Sequence, residues 1–120
     1  MNVVIASDSE AIRQSLVSFV EPHGSVLEVR SVGVVLALCA TVGALKQPIH
    51  ILFLDFQNID RLSVGMLREA RRAALRHAVV VGLIPVNFPD IDGAREAGVT
   101  HFLTKPIQSQ EVAEFLRQAA

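Results

Sequence analysis

Short apolar pulses recur along the chain at Val3-Val4-Ile5-Ala6, Val26-Leu27-Glu28-Val29, Ile51-Leu52-Phe53-Leu54, Ala78-Val79-Val80-Val81 and His101-Phe102-Leu103. The first, third and fourth show no alternation of apolar and polar positions. That suits strands covered on both faces, as parallel sheets require. The second and fifth are less pure and are placed nearer a sheet edge.

Helical spacing fills the intervals. Ser9 to Glu21 sets Ile12, Leu16, Phe19 and Val20 on one side, and Pro22 and Gly24 end the run. Ser31 is a candidate cap for a second helix reaching Leu45 before Pro48. Its apolar face (Val35, Leu38, Cys39, Val42, Leu45) suits core burial or a partner surface. A third helix is predicted from about Ser63 to Arg76, burying Val64, Leu67, Ala74 and Leu75. Pro85 and Pro89 shorten the fourth to about Ile91–Ala97, ahead of Gly98. The fifth opens at Ser109 and turns Val112, Ala113, Phe115 and Leu116 inward. Strand and helix alternating to a final helix give (βα)₅, which right-handed crossovers wind into an α/β sandwich with a five-stranded parallel sheet.

Composition narrows the class without changing this outline. The 120 residues fit one domain, residues 1–120; 51% are hydrophobic and 19% charged, which suits a packed core. The net charge of −1 argues against general nucleic-acid binding, which relies on neutralising phosphates. Arg68, Arg71, Arg72 and Arg76 form a local basic cluster that reads as a solvated helix face. The single cysteine, Cys39, lies in an apolar run and reads as packing. The first residues are too short for a signal peptide and are followed by Asp8 and Glu10. The longest uncharged stretch, Ser31 to Leu45, is shorter than the roughly 20 apolar residues a spanning helix needs. A cytoplasmic protein without membrane contact is the expectation.

Ligands of doubly wound sheets sit beyond the carboxyl ends of the strands. There the first strand ends at Ser7-Asp8, the third at Asp55 and the fifth at Thr104-Lys105-Pro106. Two carboxylates near a lysine suit a hard cation such as Mg²⁺, and a carboxylate there can attack a phosphoryl group while lysine offsets the growing charge. Aspartates at strand ends also cap helices, so both readings stand on geometry alone.

The hydrophobic first strand closing on an acid, Asp55 ending the third strand, Ala97-Gly98 before the last strand, and above all Phe102-Leu103-Thr104-Lys105-Pro106-Ile107 carry a resemblance. Over essentially its whole length the chain resembles the receiver domains of two-component response regulators, with their CheY-like (flavodoxin-like) fold. The resemblance implies phosphorylation of Asp55 by a sensor histidine kinase or phosphotransfer protein, with Lys105 contacting the phosphoryl group. It also implies Mg²⁺ held by Asp8, Asp55 and the backbone carbonyl of Gln57, and a Lys105–Pro106 bond that is often cis in relatives. The output is a conformational change passed to an effector domain or downstream protein, not turnover by an enzyme. The output face in relatives corresponds to Ile91–Ala97, Thr100–Leu103 and Ser109–Ala119, and homodimerisation is one of its candidate uses.

The departures are as informative. The usual pair of acids after the first strand is Ser7-Asp8 here, and Glu10 reads as a first-turn acid or as a metal contact through water. The switch hydroxyl at the end of the fourth strand is replaced by Leu83, and no Ser or Thr occurs from Val79 to Val99. The usual polar loop there becomes the apolar run Val81-Gly82-Leu83-Ile84-Pro85, followed by Val86 and Phe88. Phe102 stands at the aromatic switch position and reads equally as core. Phe56-Gln57-Asn58-Ile59-Asp60 lacks the Met-Pro and Gly of typical members. Two functions follow: a receiver phosphorylated on Asp55 to control protein interactions, or a degenerate, phosphorylation-independent receiver acting as an interaction or dimerisation module.

Overall fold

Strand pairing in the computed structural model orders the sheet β2-β1-β3-β4-β5, every pair parallel. The structure describes residues 1–40, 47–56 and 61–119. The strands are β1 (Asn2–Ala6), β2 (Ser25–Val29), β3 (Ile51–Asp55), β4 (Val79–Ile84) and β5 (His101–Thr104). Between and after them run α1 (Glu10–Val20), α2 (Val32–Ala40), α3 (Arg61–Arg71), α4 (Ile91–Ala97) and α5 (Ser109–Ala119). A short 3₁₀ turn, Glu21–His23, leads α1 into β2.

The central strand β3 is buried at every position, whereas β2 and β5 form the edges and show mixed exposure. That is the arrangement their impure apolar pulses predicted. Side chains alternate between two cores. Val3, Ile5, Phe53, Val81 and Leu83 meet Leu16 and Val20 of α1 and Val112, Phe115 and Leu116 of α5. On the other face Val4, Ala6, Leu52, Leu54 and Val80 meet α2, α3 and α4. Strand order reverses between β1 and β3, so the crevice above their carboxyl ends is the expected ligand position.

Several boundaries differ from the pattern-based expectation. β4 continues through Ile84, so Gly82, Leu83 and Ile84 are strand and not loop. Two rings pack close to Gly82 within the strand: a methyl group there would stand 3.2 Å from the Phe102 ring and 3.3 Å from that of Phe56. α3 ends at Arg71, short of Arg76, because the chain then turns. The Arg71 guanidinium donates to the carbonyls of Leu75 and Ala78, both at 2.6 Å, and so holds the turn that follows the helix. Leu38 of α2 is 47% exposed and Ala113 of α5 is exposed, while Val35, Leu36 and Cys39 of α2 and Val112, Phe115 and Leu116 of α5 are buried. Ser31 caps α2 as expected, its Oγ accepting from the Val34 amide at 3.2 Å. The predicted continuation of that helix, including Val42 and Leu45, lies outside the described residues. Among the described residues no helix is long and apolar enough to cross a membrane.

Candidate functional site

Parallel pairing brings three strand ends to one rim, and the backbone ladder continues past them. The Ser7 amide donates to the Val29 carbonyl (3.0 Å), Phe56 to Leu83 (3.0 Å) and Lys105 to Ile84 (2.8 Å). These bonds hold the residues just beyond β1, β3 and β5 in fixed positions at the crevice. The Lys105–Pro106 peptide bond is cis.

Asp55 closes β3 with only 5% of its surface exposed. A buried carboxylate needs paired charge and hydrogen bonds, and both oxygens have them. Lys105 Nζ lies 2.7 Å from Oδ1. The Ser7 hydroxyl donates to Oδ2 at 2.7 Å. Ser7 is completely buried, and its Oγ also accepts the Ser9 amide at 3.1 Å. Its carbonyl accepts from Arg13 Nη1 at 2.7 Å, while Arg13 Nε pairs with Glu28 of β2 at 3.5 Å. Arg13 falls on the buried side of α1 with Leu16 and Val20, three and seven residues on. It thus forms a polar brace between α1, β2 and the end of β1.

Asp8 and Asp55 line one open pocket of about 370 Å³ together with Arg30, Ser31, Val32, Gly33 and Ser63. Asp8 is exposed, so its carboxylate reaches the crevice from the solvent side. Hard oxygen donors on two sides of one cavity are what a small divalent cation requires. Gln57 lies outside the described residues, and no group of three His, Cys, Asp or Glu side chains is gathered among those described. Glu10 accepts from Gln14 Nε2 at 3.1 Å along the exposed side of α1, in keeping with the role of a first-turn acid.

Leu83 sits beside Asp55 in the β3–β4 register but is fully buried among the apolar side chains of the α1/α5 core. It offers the crevice no hydrogen bond. Phe102 is partly buried on the opposite face, stacked over Gly82, with the Arg95 guanidinium 5.6 Å from its ring centroid. Cys39 is fully buried and away from the rim, and burial pushes its thiol up to about 11, which removes it from the nucleophiles.

Of the residues placed at strand ends by the sequence, the structure sets Lys105 against Asp55 and lines one pocket with Asp8 and Asp55. The contributions of Ser7, Arg13, Arg30 and Ser63 were not anticipated. For Ser7 a signal existed: a residue next to the first-strand acid, flanking a buried carboxylate, is placed to donate to it. Arg30 and Ser63 come from segments whose approach to the rim is set only by packing.

No family model matches the chain, and no curated protein matches it by sequence. Its structure is nonetheless similar to many solved ones. The chemotaxis protein CheY4 of Vibrio cholerae aligns with a TM-score of 0.78 at 18% identity, covering 99% of this chain and 98% of that one. A CheY-like response regulator receiver domain from Methanospirillum hungatei gives 0.76 at 18% identity, over 98% and 90%. A pilus assembly-related protein of Burkholderia pseudomallei gives 0.79 at 17% identity, over 99% and 88%. Five parallel strands in the order 2-1-3-4-5, flanked by helices on both faces and superimposing on these proteins along nearly its whole length, give this chain the fold of the CheY-like response regulator receiver domains.

Proposed function

We propose that this chain is a receiver module of a two-component system that accepts a phosphoryl group on Asp55 and thereby controls a protein interaction. The observation that carries the reading is the buried pair of Asp55 and Lys105, 2.7 Å apart at the crevice that also receives Asp8. An Asp55 oxygen would form the new O–P bond as the donor's bond to phosphorus breaks, the electron pair leaving with the donor group. Lys105 offsets the charge gathering on the phosphoryl oxygens.

Mg²⁺ fits the donor set: Asp8 and Asp55 are hard oxygen ligands, and this ion commonly takes one or two carboxylates with water and phosphate oxygens completing its shell. Gln57 would add its carbonyl. The ion would neutralise charge between the phosphoryl group and the two carboxylates; with one acid fewer than usual, its affinity is expected to be low. The partners on this reading are a sensor histidine kinase or phosphotransfer protein on one side and an effector domain or downstream protein on the other. The product is an altered surface and not a released chemical.

A second reading has its own observation. Leu83 is fully buried where a hydroxyl would couple phosphorylation to loop movement, which favours a module that binds its partner irrespective of phosphate. Intact mass after incubation with Mg²⁺ and a small phosphoryl donor separates the two. A phosphate-sized gain in wild type, absent in Asp55→Asn, is expected. No gain at high Mg²⁺ in a folded protein would leave the phosphorylation-independent module as the function.

A further inference from the structure

We propose that Ser7 is the hydroxyl that responds to the state of Asp55, a role that Leu83 cannot fill from the other side of the carboxylate. This inference rests on the reading of Asp55 as the group that meets metal and phosphoryl.

A serine hydroxyl has one proton to donate and two lone pairs to accept with. At Ser7 the proton goes to Asp55 Oδ2 at 2.7 Å and a lone pair takes the Ser9 amide at 3.1 Å. The side chain is fully buried, and Arg13, itself 5% exposed and paired with Glu28, holds its carbonyl. With the backbone braced in this way, what remains to Ser7 is rotation of its hydroxyl. The bond to Oδ2 is strongest while Asp55 is a bare carboxylate, because a charged acceptor makes a bond about twice as strong as a neutral one. Coordination by a metal or esterification by a phosphoryl group draws charge out of the carboxylate and weakens that acceptor. Ser7 therefore stabilises the unmodified state and is released when the state changes.

The release has a defined destination. The Ser9 amide is bonded to the same Oγ, and the Ser9 side chain caps α1 by accepting from the Ile12 amide at 3.4 Å. α1 packs against α5 through Leu16, Val20, Val112 and Leu116. The modification is thus read out first at the start of α1, whereas the hydrogen-bonding route through the end of β4 is closed by Leu83. Ser7 is a positioning residue in this scheme; it acts through Asp55.

The test uses ¹⁵N-labelled wild type, Ser7→Ala, Ser7→Thr and Asp55→Asn, each titrated with MgCl₂ and then with beryllofluoride as a phosphoryl stand-in. The Ser9 amide shift and the dissociation constants are read together. In wild type the Ser9 amide is expected to move on beryllofluoride binding. Ser7→Ala should bind roughly three- to thirtyfold more tightly, since a competing charge-assisted bond is gone, and its Ser9 amide should no longer report binding. Ser7→Thr keeps a hydroxyl and should restore the wild-type pattern. Equal or weaker binding by a folded Ser7→Ala, or a still Ser9 amide in wild type that binds beryllofluoride, overturns the role of Ser7 and leaves the acceptor reading intact. Absence of any response in wild type and both Ser7 variants overturns the acceptor reading, and the role of Ser7 with it. Thermal unfolding checks that Ser7→Ala is folded; if it is not, wild type and Ser7→Thr decide the matter through the Ser9 shift.

Discussion

Two side chains hold the Asp55 carboxylate, Lys105 with its charge at Oδ1 and Ser7 with a hydrogen bond to Oδ2; the register partner on β4, Leu83, supplies only volume to the core. The last is a matter of packing energy. Leu83 is completely buried against the core that α1 and α5 form. Truncating it removes apolar area and leaves a cavity, and Leu83→Ala is expected to cost about 2–4 kcal/mol of stability. Urea denaturation measures this, with the loss appearing as a lower midpoint at an unchanged slope. A cost below about 0.5 kcal/mol, the range of surface substitutions, would show that position 83 is not part of the packed core and reopen it as a switch position.

Among the elements, the junction from α4 into β5 is specified at both ends of the helix. Asp90 caps α4 by accepting from the Gly93 amide at 3.0 Å. Gly98 ends the helix at φ 121, a conformation L side chains rarely adopt. A methyl group at Gly98 would also collide with the Arg71 side chain, which is occupied in holding the turn after α3. Gly98→Ala is therefore expected to cost about 1–3 kcal/mol through strained backbone alone, with displacement of Arg71 adding to it. Thermal unfolding gives the size. Amide exchange gives the place: protection should fall at Leu75 and Ala78 as well as at the α4 end. Loss confined to α4 would mean that Arg71 yields without disturbing its carbonyl partners.

At the scale of the whole molecule, the Asp55–Lys105 pair joins strands β3 and β5 across 50 residues of sequence. The two side chains are 5% and 16% exposed, so removing the lysine takes an ammonium away from a buried carboxylate. Lys105→Met is expected to destabilise by about 2–4 kcal/mol, near the lower end for broken buried pairs. Adding Asp55→Asn removes the buried negative charge, and the double variant should recover most of the loss. A double-mutant cycle in urea tests this. Simple additivity of the two single changes would mean that the pair makes no energetic link between the strands. In that double variant the Ser7 hydroxyl still has an amide oxygen to donate to, a neutral acceptor in place of a charged one.

Much of this architecture was legible from residue order. Uninterrupted apolar runs at β1, β3 and β4 identified strands buried on both faces, and the mixed pulses at Val26–Val29 and His101–Leu103 identified the edges. Those features are local: each depends on whether neighbouring side chains leave water together. Asp8, Asp55 and Lys105 were readable for the same reason, because ending a parallel strand places a residue at the common rim. What the chain order could not decide was which atoms would meet there. The packing of Phe102 and Phe56 against Gly82 joins residues 20 and 26 positions away from it. The turn after α3 depended on Arg71 reaching the carbonyls of Leu75 and Ala78, and the use of Ser7 depended on Arg13 and Glu28 bracing its backbone. Some of these residues are only four to seven positions apart, yet their pairing is settled by packing and by the requirement that each buried polar group find a partner. The alternation of strand and helix and the shared rim of Asp8, Asp55 and Lys105 follow from residue order; the hold on the Asp55 carboxylate from both sides, by an ammonium and by a serine hydroxyl, comes only from packing, which brings those atoms within hydrogen-bond reach.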